Sequence, residues 1–375
     1  NQQYTFQVKA RNGENVETAF SSTASTYTLA AAPAAPTVAA VSTTSLSVDV
    51  NVNGNPAATI FAIREAGGQF VQTNGTLGAT AHWQTDAAWG TKTVTSLGVN
   101  QQYTFDVQAK NGDGTTTAYS STAAKYTLAA APATPTLAAV STTSVSVDVN
   151  VNGNPAATLF AIREAGGQFV QTNGSLGVDA HWQTDANWGT KNVTGLTPGQ
   201  SYTFDVKAEN GDGTDTAYSS TAVKYALAAV PSAPTVAAVS STSLSVDVNV
   251  NGNHSSVEYA IQETVSGNYV QGDGTLGGSA VWADDATWAT KTVTGLSMNQ
   301  SYTFKAKAKN GDGTETAFGS TASKYTLAIV PSAPTVNNPT ASSLDVAVNA
   351  NGNPGSVDFA IREAGGDFVQ ADGML

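Results

Sequence analysis

The sequence predicts an all-β protein, organised as a tandem array of seven-stranded β-sandwiches. Three observations lead to this prediction: an internal repeat of 99–100 residues, short segments in which apolar and polar residues alternate, and turns rich in glycine or proline between those segments. Alternation with a period of two residues is typical of strands with one buried face, and several short strands separated by turns indicate a sandwich.

The repeat is clearest in the segment Asn1-Gln2-Gln3-Tyr4-Thr5-Phe6. Matching segments begin at Asn100, Gly199 and Asn299, at intervals of 99, 99 and 100 residues. A fixed period of this kind is the signature of a repeat architecture. An Ala-Pro segment without glycine punctuates each repeat and predicts a short, stiff connection. Its prolines are Pro33 and Pro36, Pro132 and Pro135, Pro231 and Pro234, and Pro331 and Pro334.

The Ala-Pro segments divide the chain into five stretches. Residues 31–129, 130–229 and 230–329 are predicted to be complete modules, whereas 1–30 is the C-terminal part of a module and 330–375 the N-terminal part. A module of about 100 residues is large enough to bury its own core. The chain is interpreted either as a piece of a longer array or as a piece whose broken ends complete each other between molecules.

Strands can be placed in order along one repeat, and no segment shows a helical period. The first follows Pro33, and the second is the alternating run from Leu46 to Val52. Two more flank the Gly67-Gly68 turn, and a segment with two tryptophans comes next. The remaining strands are predicted at 92–95, 103–110 and 119–128, with a turn at Asn111-Gly112-Asp113-Gly114 between the last two.

One run carries a family resemblance. Residues 195–210, Gly-Leu-Thr-Pro-Gly-Gln-Ser-Tyr-Thr-Phe-Asp-Val-Lys-Ala-Glu-Asn, resemble the E–F corner and F strand of a fibronectin type III domain. Leu196 and Tyr202 resemble its tyrosine corner, in which the phenol bonds to the upstream backbone. The opening Ala-Pro segment resembles the A strand. The resemblance covers every repeat and implies fibronectin type III-like (Ig-like) sandwiches, similar to repeats of large bacterial surface or secreted proteins.

The chain departs from that family in its tryptophans. The family usually carries a core tryptophan on strand B, where this sequence has only valine and leucine. Each complete repeat has a tryptophan pair further along instead: Trp83 and Trp89, Trp182 and Trp188, and Trp282 and Trp288. Burying one tryptophan removes about 150–250 Å² from water, worth roughly 4–6 kcal/mol. A relocated tryptophan from the pair is therefore predicted to refill the core.

The first member of each pair is the candidate binding residue. Trp83 stands beside His82 and Gln84 and has counterparts in Trp182 and Trp282, and exposed aromatic rings stack on sugar rings. These three positions are therefore candidate contacts for a glycan or another partner. The competing interpretation is that they also serve the sandwich.

The other polar residues give little support for a catalytic or metal-binding site. The three histidines, His82, His181 and His254, are scattered, and no repeat pairs a nucleophile with a base, so neither a metal site nor enzyme activity is expected. A calcium loop at 111–114 would need more oxygen ligands than the segment supplies. No cofactor is expected.

The composition bears on the partners. The formal net charge is −12, whereas nucleic acids and anionic membranes attract basic faces. No stretch of 18 apolar residues occurs, so membrane insertion is not expected. Charged residues make up only 12%, and neutral polar residues replace them, as is common in exported proteins. Cysteine is absent, which excludes disulfides.

These observations favour a structural spacer or fibre-forming segment of a large extracellular or cell-surface protein that supports adhesion or a surface appendage. A multivalent carbohydrate-binding array is an alternative, since repetition raises avidity. Accessory modules of a secreted glycoside hydrolase are another. The expected partners are other modules of the same protein, with polysaccharide or head-to-tail self-association as further alternatives.

Overall fold

The computed structural model describes every residue from Asn1 to Leu375. Strands take up 42% of the chain and helices 3%, and every strand pairing is antiparallel, so the protein is all-β as predicted. None of its helices is long and apolar enough to cross a membrane. The residues group into two compact units, one comprising 1–136, 147–191 and 203–222 and the other 137–146, 192–202 and 223–375. Each unit contains one whole repeat.

The first unit opens with two paired strands and then contains the whole repeat 31–129. The two opening strands are β1 (Gln3–Phe6) and β2 (Ala24–Tyr27). The elements of the repeat are β3 (Ala34–Ser42), β4 (Ser45–Asn51), β5 (Ile60–Glu65), β6 (Phe70–Val71), β7 (Leu77–Gly78), β8 (Gln84–Thr85), α1 (Asp86–Trp89), β9 (Lys92–Val94), β10 (Gln102–Lys110) and β11 (Ala123–Tyr126).

Two sheets form the sandwich of this repeat. One has the order β3-β4-β9, and the other has the order β11-β10-β5-β6-β7, with β8 attached to β5. In family lettering these are strands A, B and E in one sheet and G, F, C and C′ in the other, so the predicted fibronectin type III-like sandwich is confirmed. Strand β7, strand β8 and helix α1 are additions to the seven strands predicted.

The core lies between the two sheets. Leu46 and Val48 of β4 face Phe61 and Ile63 of β5 together with Phe105 of β10, and each of these side chains is at most 1% exposed. The alternation predicted for strand B is therefore the inward face of β4. Val38 of β3 packs against the same cluster from the sheet edge.

The repeat 130–229 has the same succession of elements. They are β12 (Ala133–Ser141), β13 (Ser144–Asn150), β14 (Leu159–Glu164), β15 (Phe169–Val170), β16 (Leu176–Gly177), β17 (Gln183–Thr184), α2 (Asp185–Trp188), β18 (Lys191–Thr194), β19 (Ser201–Glu209) and β20 (Ala222–Tyr225). Strand β14 pairs with β15, β17 and β19, as β5 pairs with β6, β8 and β10.

The second unit contains the whole repeat 230–329 and the last two strands. Its elements are β21 (Ser232–Ser240), β22 (Ser243–Asn249), β23 (Glu258–Glu263), β24 (Tyr269–Val270), β25 (Leu276–Gly277), β26 (Ala283–Asp284), α3 (Asp285–Trp288), β27 (Lys291–Val293), β28 (Ser301–Lys309), β29 (Ala322–Tyr325), β30 (Ser332–Asn337) and β31 (Asp345–Asn349). The sheets are β21-β22-β27 and β25-β24-β23-β28-β29, which repeats the sandwich of the first unit.

The helices are single turns that the sequence pattern did not predict. In α1, Thr85 caps the turn by accepting a hydrogen bond from the Ala88 N–H at 3.3 Å. Gly90 ends it with φ of 50°, and its N–H donates to the Asp86 carbonyl. Four residues are too few to show a 3.6-residue period, so caps alone define the turn.

The last strand is shorter than predicted. Strand β11 covers Ala123–Tyr126, whereas the sequence predicted 119–128. Upstream of it, the hydroxyls of Thr117 and Ser120 accept hydrogen bonds from the Ala109 and Val107 N–H groups at 3.1 and 3.0 Å. Side-chain hydroxyls therefore accept from N–H groups that would otherwise bond to main-chain carbonyls, and the regular ladder stops.

The tyrosine corner has the predicted geometry. The Thr197 N–H donates to the Tyr202 hydroxyl at 2.8 Å, and Gly98 and Ser297 donate to Tyr103 and Tyr302 in the same way at 2.8 and 2.9 Å. This bond ties the E–F turn to strand F. It fixes the turn that, in each repeat, leads to the contacts with the following repeat.

A buried phenol distinguishes the repeat 230–329. Tyr259 takes the place of Phe61 and Phe160, is 1% exposed, and its hydroxyl has no hydrogen-bond partner. Burial raises the pKa of this phenol to about 12, against an opposing influence of the Asn253 side chain. We expect Tyr259→Phe to raise the free energy of unfolding of the repeat by about 1 kcal/mol, because it removes an unpaired buried hydroxyl. Native-state hydrogen exchange of the β28 amides measures this.

The matched control is Phe61→Tyr, which adds the same hydroxyl to the repeat 31–129 and should lower its stability. A loss of stability in Tyr259→Phe would contradict the prediction and would show that the hydroxyl bonds to Asn253.

Candidate functional site

The six tryptophans fall into two classes. Trp89, Trp188 and Trp288 are 2–3% exposed, and each indole N–H donates to a main-chain carbonyl of strand C, at 2.9, 2.8 and 2.8 Å. The single helical turn carries each of these rings into the core. The prediction that a relocated tryptophan refills the core is confirmed, and the structure shows that it is the second of each pair.

The other three tryptophans lie on the outer face of the six-stranded sheet. Trp83, Trp182 and Trp282 are half-buried. Lys110 lies over the Trp83 ring with its Nζ 4.1 Å from the ring centroid, and it alternates along β10 with inward Ala109. Lys207 lies 4.9 Å over Trp182, and Lys309 lies 4.5 Å over Trp282. Each ring thus combines an apolar surface with a neighbouring ammonium group.

A salt bridge lies on the same face of the sheet, further along strand β10. Arg64 donates from Nε and Nη2 to the two carboxylate oxygens of Asp106 at 3.0 and 2.6 Å, and Asp106 is only 3% exposed. The guanidinium also stacks on Tyr119, 3.5 Å from the ring centroid. The bond to Asp106 raises the pKa of Arg64. This cross-strand salt bridge uses the hydrogen-bonding groups of the guanidinium that face Asp106.

The Arg–Asp–Tyr arrangement differs between repeats. Arg163, Asp205 and Tyr218 reproduce it in the repeat 130–229. In the repeat 230–329 the same positions hold Gln262, Lys305 and Phe318, and Lys305 lies 4.3 Å over the Phe318 ring. A tryptophan with a lysine over its ring occurs in all three repeats, although Lys207 corresponds in position to Gln108 and not to Lys110.

The histidines and the acidic residues do not converge. No group of three His, Cys, Asp or Glu side chains that could hold a metal ion occurs in the chain. His82 instead contacts the edge of the Trp89 ring, with centroids 6.0 Å apart, and His181 contacts Trp188 at 6.5 Å. Packing accounts for these two histidines.

The Asn-Gly-Asp-Gly turns contact the preceding repeat. Asn111 is 4% exposed, and its Oδ1 accepts from the Asp113 and Thr115 N–H groups while its Nδ2 donates to the Thr28 carbonyl at 3.3 Å. Asp113 accepts from the Tyr27 N–H at 2.8 Å. The turn between strands F and G is therefore a clamp on strand G of the repeat before it.

Glycine is required in the clamp because an aromatic ring lies on it. A Cβ atom at Gly112 would lie 2.5 Å from the ring of Tyr27. Gly211 lies against Tyr126, and Gly311 against Tyr225, in the same way. A larger residue would push the ring off the turn, so the contact depends on glycine at these three positions.

The clamp recurs with the same atoms. Asn210 donates to the Thr127 carbonyl at 3.1 Å, and Asp212 accepts from the Tyr126 N–H at 2.9 Å. Asn310 donates to the Ala226 carbonyl at 3.0 Å, and Asp312 accepts from the Tyr225 N–H at 3.3 Å. Two of these aspartates also pair with a lysine of the preceding repeat: Lys125 with Asp212 at 3.3 Å, and Lys224 with Asp312 at 3.2 Å.

The loop between strands B and C holds the linker. Asn55 accepts from the Ala31 N–H at 2.9 Å and donates to the Ala31 carbonyl at 2.8 Å, and Asn53 donates to the Ala32 carbonyl. Asn154, Asn253 and Asn353 bind Ala130, Ala229 and Ile329 in the same way. Side-chain amides thus satisfy the linker backbone, which adds a second cause to the stiffness predicted from composition.

The sequence pattern did not predict these contacts between repeats. The turn at 111–114 was interpreted as a hairpin turn, which is correct locally, but its partners lie 83 and 86 residues away in the sequence. The available signal was the recurrence of Asn-Gly-Asp and Asn-Gly-Asn at fixed positions in every repeat.

Comparisons with known proteins give limited matches. No model of a known protein family matches the chain. Chitinase A1 of Niallia circulans is 32% identical over 149 residues, which is 40% of this chain, and the match spans about a fifth (21%) of that relative's length. A solved structure of chicken CNTN1 FN1–FN3 domains is 15% identical and covers 79% of this chain and 98% of its own, with a TM-score of 0.23.

The two classes of tryptophan can be tested by fluorescence. We expect the triple variant Trp83→Phe, Trp182→Phe, Trp282→Phe to emit at shorter wavelength and to resist quenching by acrylamide, because only the core rings remain. The complementary variant at Trp89, Trp188 and Trp288 should emit at longer wavelength and quench readily. Equal quenching of the two variants would contradict the assignment.

Proposed function

We propose that the chain is a spacer segment of a larger extracellular protein, in which each repeat is held to the next by side-chain clamps. The observation that carries this proposal is the clamp itself. At three successive junctions the Asn and the Asp of this turn bind the end of the preceding strand G, and the Gly leaves room for its tyrosine ring. Because the most regular surface of each repeat contacts its neighbour, the repeats are suited to keeping a fixed distance between the segments that they connect.

The composition supports this assignment. Neutral polar residues cover most of the surface, the net charge is −12, and no repeat brings together a nucleophile and a base. We propose accordingly that the segment has no catalytic activity, and that its partners are further modules of the same protein. The bacterial surface or secreted setting rests on the resemblance of the repeats to such proteins.

Small-angle scattering of the full chain tests the spacer proposal. A domain of this size has a radius of gyration of about 13 Å and would add roughly 35 Å of length. The expected result is an extended particle whose largest dimension is several times that value. A compact particle would contradict a spacer role.

A second candidate is a carbohydrate-binding accessory module of a secreted glycoside hydrolase. Two observations favour it: the partial similarity to a protein named chitinase A1, and the half-buried tryptophan that recurs with a lysine beside it. Three such rings in one chain would bind a polymer with higher avidity than one.

Retention of the full chain on insoluble chitin, with cellulose in parallel, separates the two candidates. A spacer should not be retained. A binding array should be retained, and Trp83→Ala, Trp182→Ala, Trp282→Ala together should release it. Val178→Ala, at a residue that is 79% exposed, is the control and should leave retention unchanged.

A further inference from the structure

The clamp turn contains a pair of residues that can react with each other. Its asparagine is followed directly by a glycine, and the tyrosine ring of the preceding repeat requires that glycine. A Cβ atom at Gly311, for example, would lie 2.3 Å from the Tyr225 ring. A glycine nitrogen attacks the amide of a preceding asparagine readily, because glycine has no side chain to restrict its main chain or block the approach. The contact that holds the junction therefore also makes the turn prone to deamidation.

Deamidation of such a pair needs no enzyme. The glycine main-chain nitrogen loses its proton and forms a bond to Cγ of the asparagine, while the bond from Cγ to Nδ2 breaks. Solvent carries the proton to the leaving nitrogen, which departs as ammonia, and a succinimide ring closes. Water then opens the ring and leaves either aspartate or isoaspartate.

The clamp polarises the asparagine amide for this attack. Oδ1 of Asn310 accepts hydrogen bonds from the Asp312 and Thr314 N–H groups at 3.2 and 3.0 Å. As the nitrogen bonds to Cγ, negative charge develops on Oδ1, where two N–H donors stabilise it. The other two clamps make the same pair of bonds, so all three asparagines are polarised in the same way.

At two junctions the attacking nitrogen is held by the preceding repeat. The Gly112 N–H donates to Oδ1 of Asn1 at 3.1 Å, and the Gly211 N–H donates to Oδ1 of Asn100 at 2.9 Å. Each nitrogen has to leave this bond before it can lose its proton and attack. The hydrogen bond between repeats therefore opposes deamidation at these two junctions.

The junction between the repeats 130–229 and 230–329 lacks this protection. Gly199 stands at the position of Asn1 and Asn100, and it has no side chain to accept a hydrogen bond from the Gly311 N–H. Gly311 is exposed, so solvent can take the proton from its nitrogen. The three junctions thus share the polarised amide and differ in how freely the nitrogen can attack it.

We propose that Asn310 is a site of spontaneous deamidation, and that a hydrogen bond between repeats protects Asn111 and Asn210 from the same reaction. The product releases the clamp. A carboxylate at this position cannot donate to the Ala226 carbonyl, to which the amide now donates at 3.0 Å, and isoaspartate also lengthens the main chain of the turn. Deamidation therefore loosens this junction irreversibly, while the two protected junctions persist.

Another Asn-Gly turn shows where the same product does no harm. Oδ1 of Asn74 accepts from the Thr76 N–H at 3.1 Å, and in the repeat 230–329 the carboxylate of Asp273 accepts from the Thr275 N–H at 2.9 Å. Aspartate thus makes the same bond as asparagine at this turn. Asn74→Asp is therefore a matched control for a deamidated clamp.

The rates can be compared within one sample. The full chain is incubated at mildly alkaline pH, and peptide mass mapping measures the deamidated fraction at each clamp over time. Asn310 should deamidate roughly twofold to tenfold faster than Asn111 and Asn210, the factor that corresponds to one hydrogen bond. Equal rates at the three positions, or a slower rate at Asn310, would overturn the proposal.

Two variants test the cause of the difference. Asn100→Gly frees the Gly211 N–H and should raise the rate at Asn210 to that of Asn310. Thr158→Val removes the other hydrogen bond of the Asn100 side chain, at 2.8 Å, and should leave the rate at Asn210 unchanged. If Asn100→Gly has no effect, or if both variants raise the rate equally, the protecting bond is not the cause and the proposal fails.

The effect on the junction is measured with Asn310→Asp, which reproduces one product. Hydrogen exchange of the Tyr225 amide, which donates to Asp312 at 3.3 Å, should become about tenfold faster, while Asn74→Asp should leave it unchanged. Faster exchange of the β28 amides as well would show that the repeat itself unfolds, and that outcome, like unchanged exchange at Tyr225, would contradict selective release of the clamp.

Discussion

The structure depends on asparagine side chains that take the place of backbone partners. Asn111, Asn210 and Asn310 are 3–4% exposed, and each holds two N–H groups of its own turn and one carbonyl of the preceding repeat. A side-chain amide both donates and accepts, so one residue closes the turn and reaches the neighbour at once. A buried amide stripped of these partners costs about 1–3 kcal/mol, which makes the turn and the junction interdependent.

The junction loops and the outer sheet face of a repeat therefore have different roles. The polar groups of the junction loops bind the neighbouring repeat. The outer face of the six-stranded sheet carries Trp83 and its counterparts, which the sandwich does not bury fully. The core tryptophans, such as Trp89, supply the apolar volume that the family normally takes from strand B. A spacer role uses the first feature, and any binding to polysaccharide would use the second.

Much of the fold follows from local pattern in the sequence. The alternation at 46–50 and the spacing of Leu196 and Tyr202 predicted a buried strand and a tyrosine corner because both are short-range features. The helical turn at 86–89 depends on a single capping residue, and the length of β11 depends on hydroxyl groups upstream of it. Neither feature changes the periodicity of the sequence. The clamp contacts join residues 83 to 87 positions apart, so no local window contains both partners.

Pulsed electron paramagnetic resonance gives the most direct test of the clamp. The chain has no cysteine, so Ala124→Cys and Ala186→Cys, at exposed sites in successive repeats, would carry the only two spin labels. We predict one narrow distance distribution. It should broaden in the variant Gly211→Ala, Asp212→Ala, which loses the space for the Tyr126 ring and the hydrogen bond from the Tyr126 N–H. A broad distribution before the change, or an equally narrow one after it, would contradict the claim that these side chains hold neighbouring repeats in place.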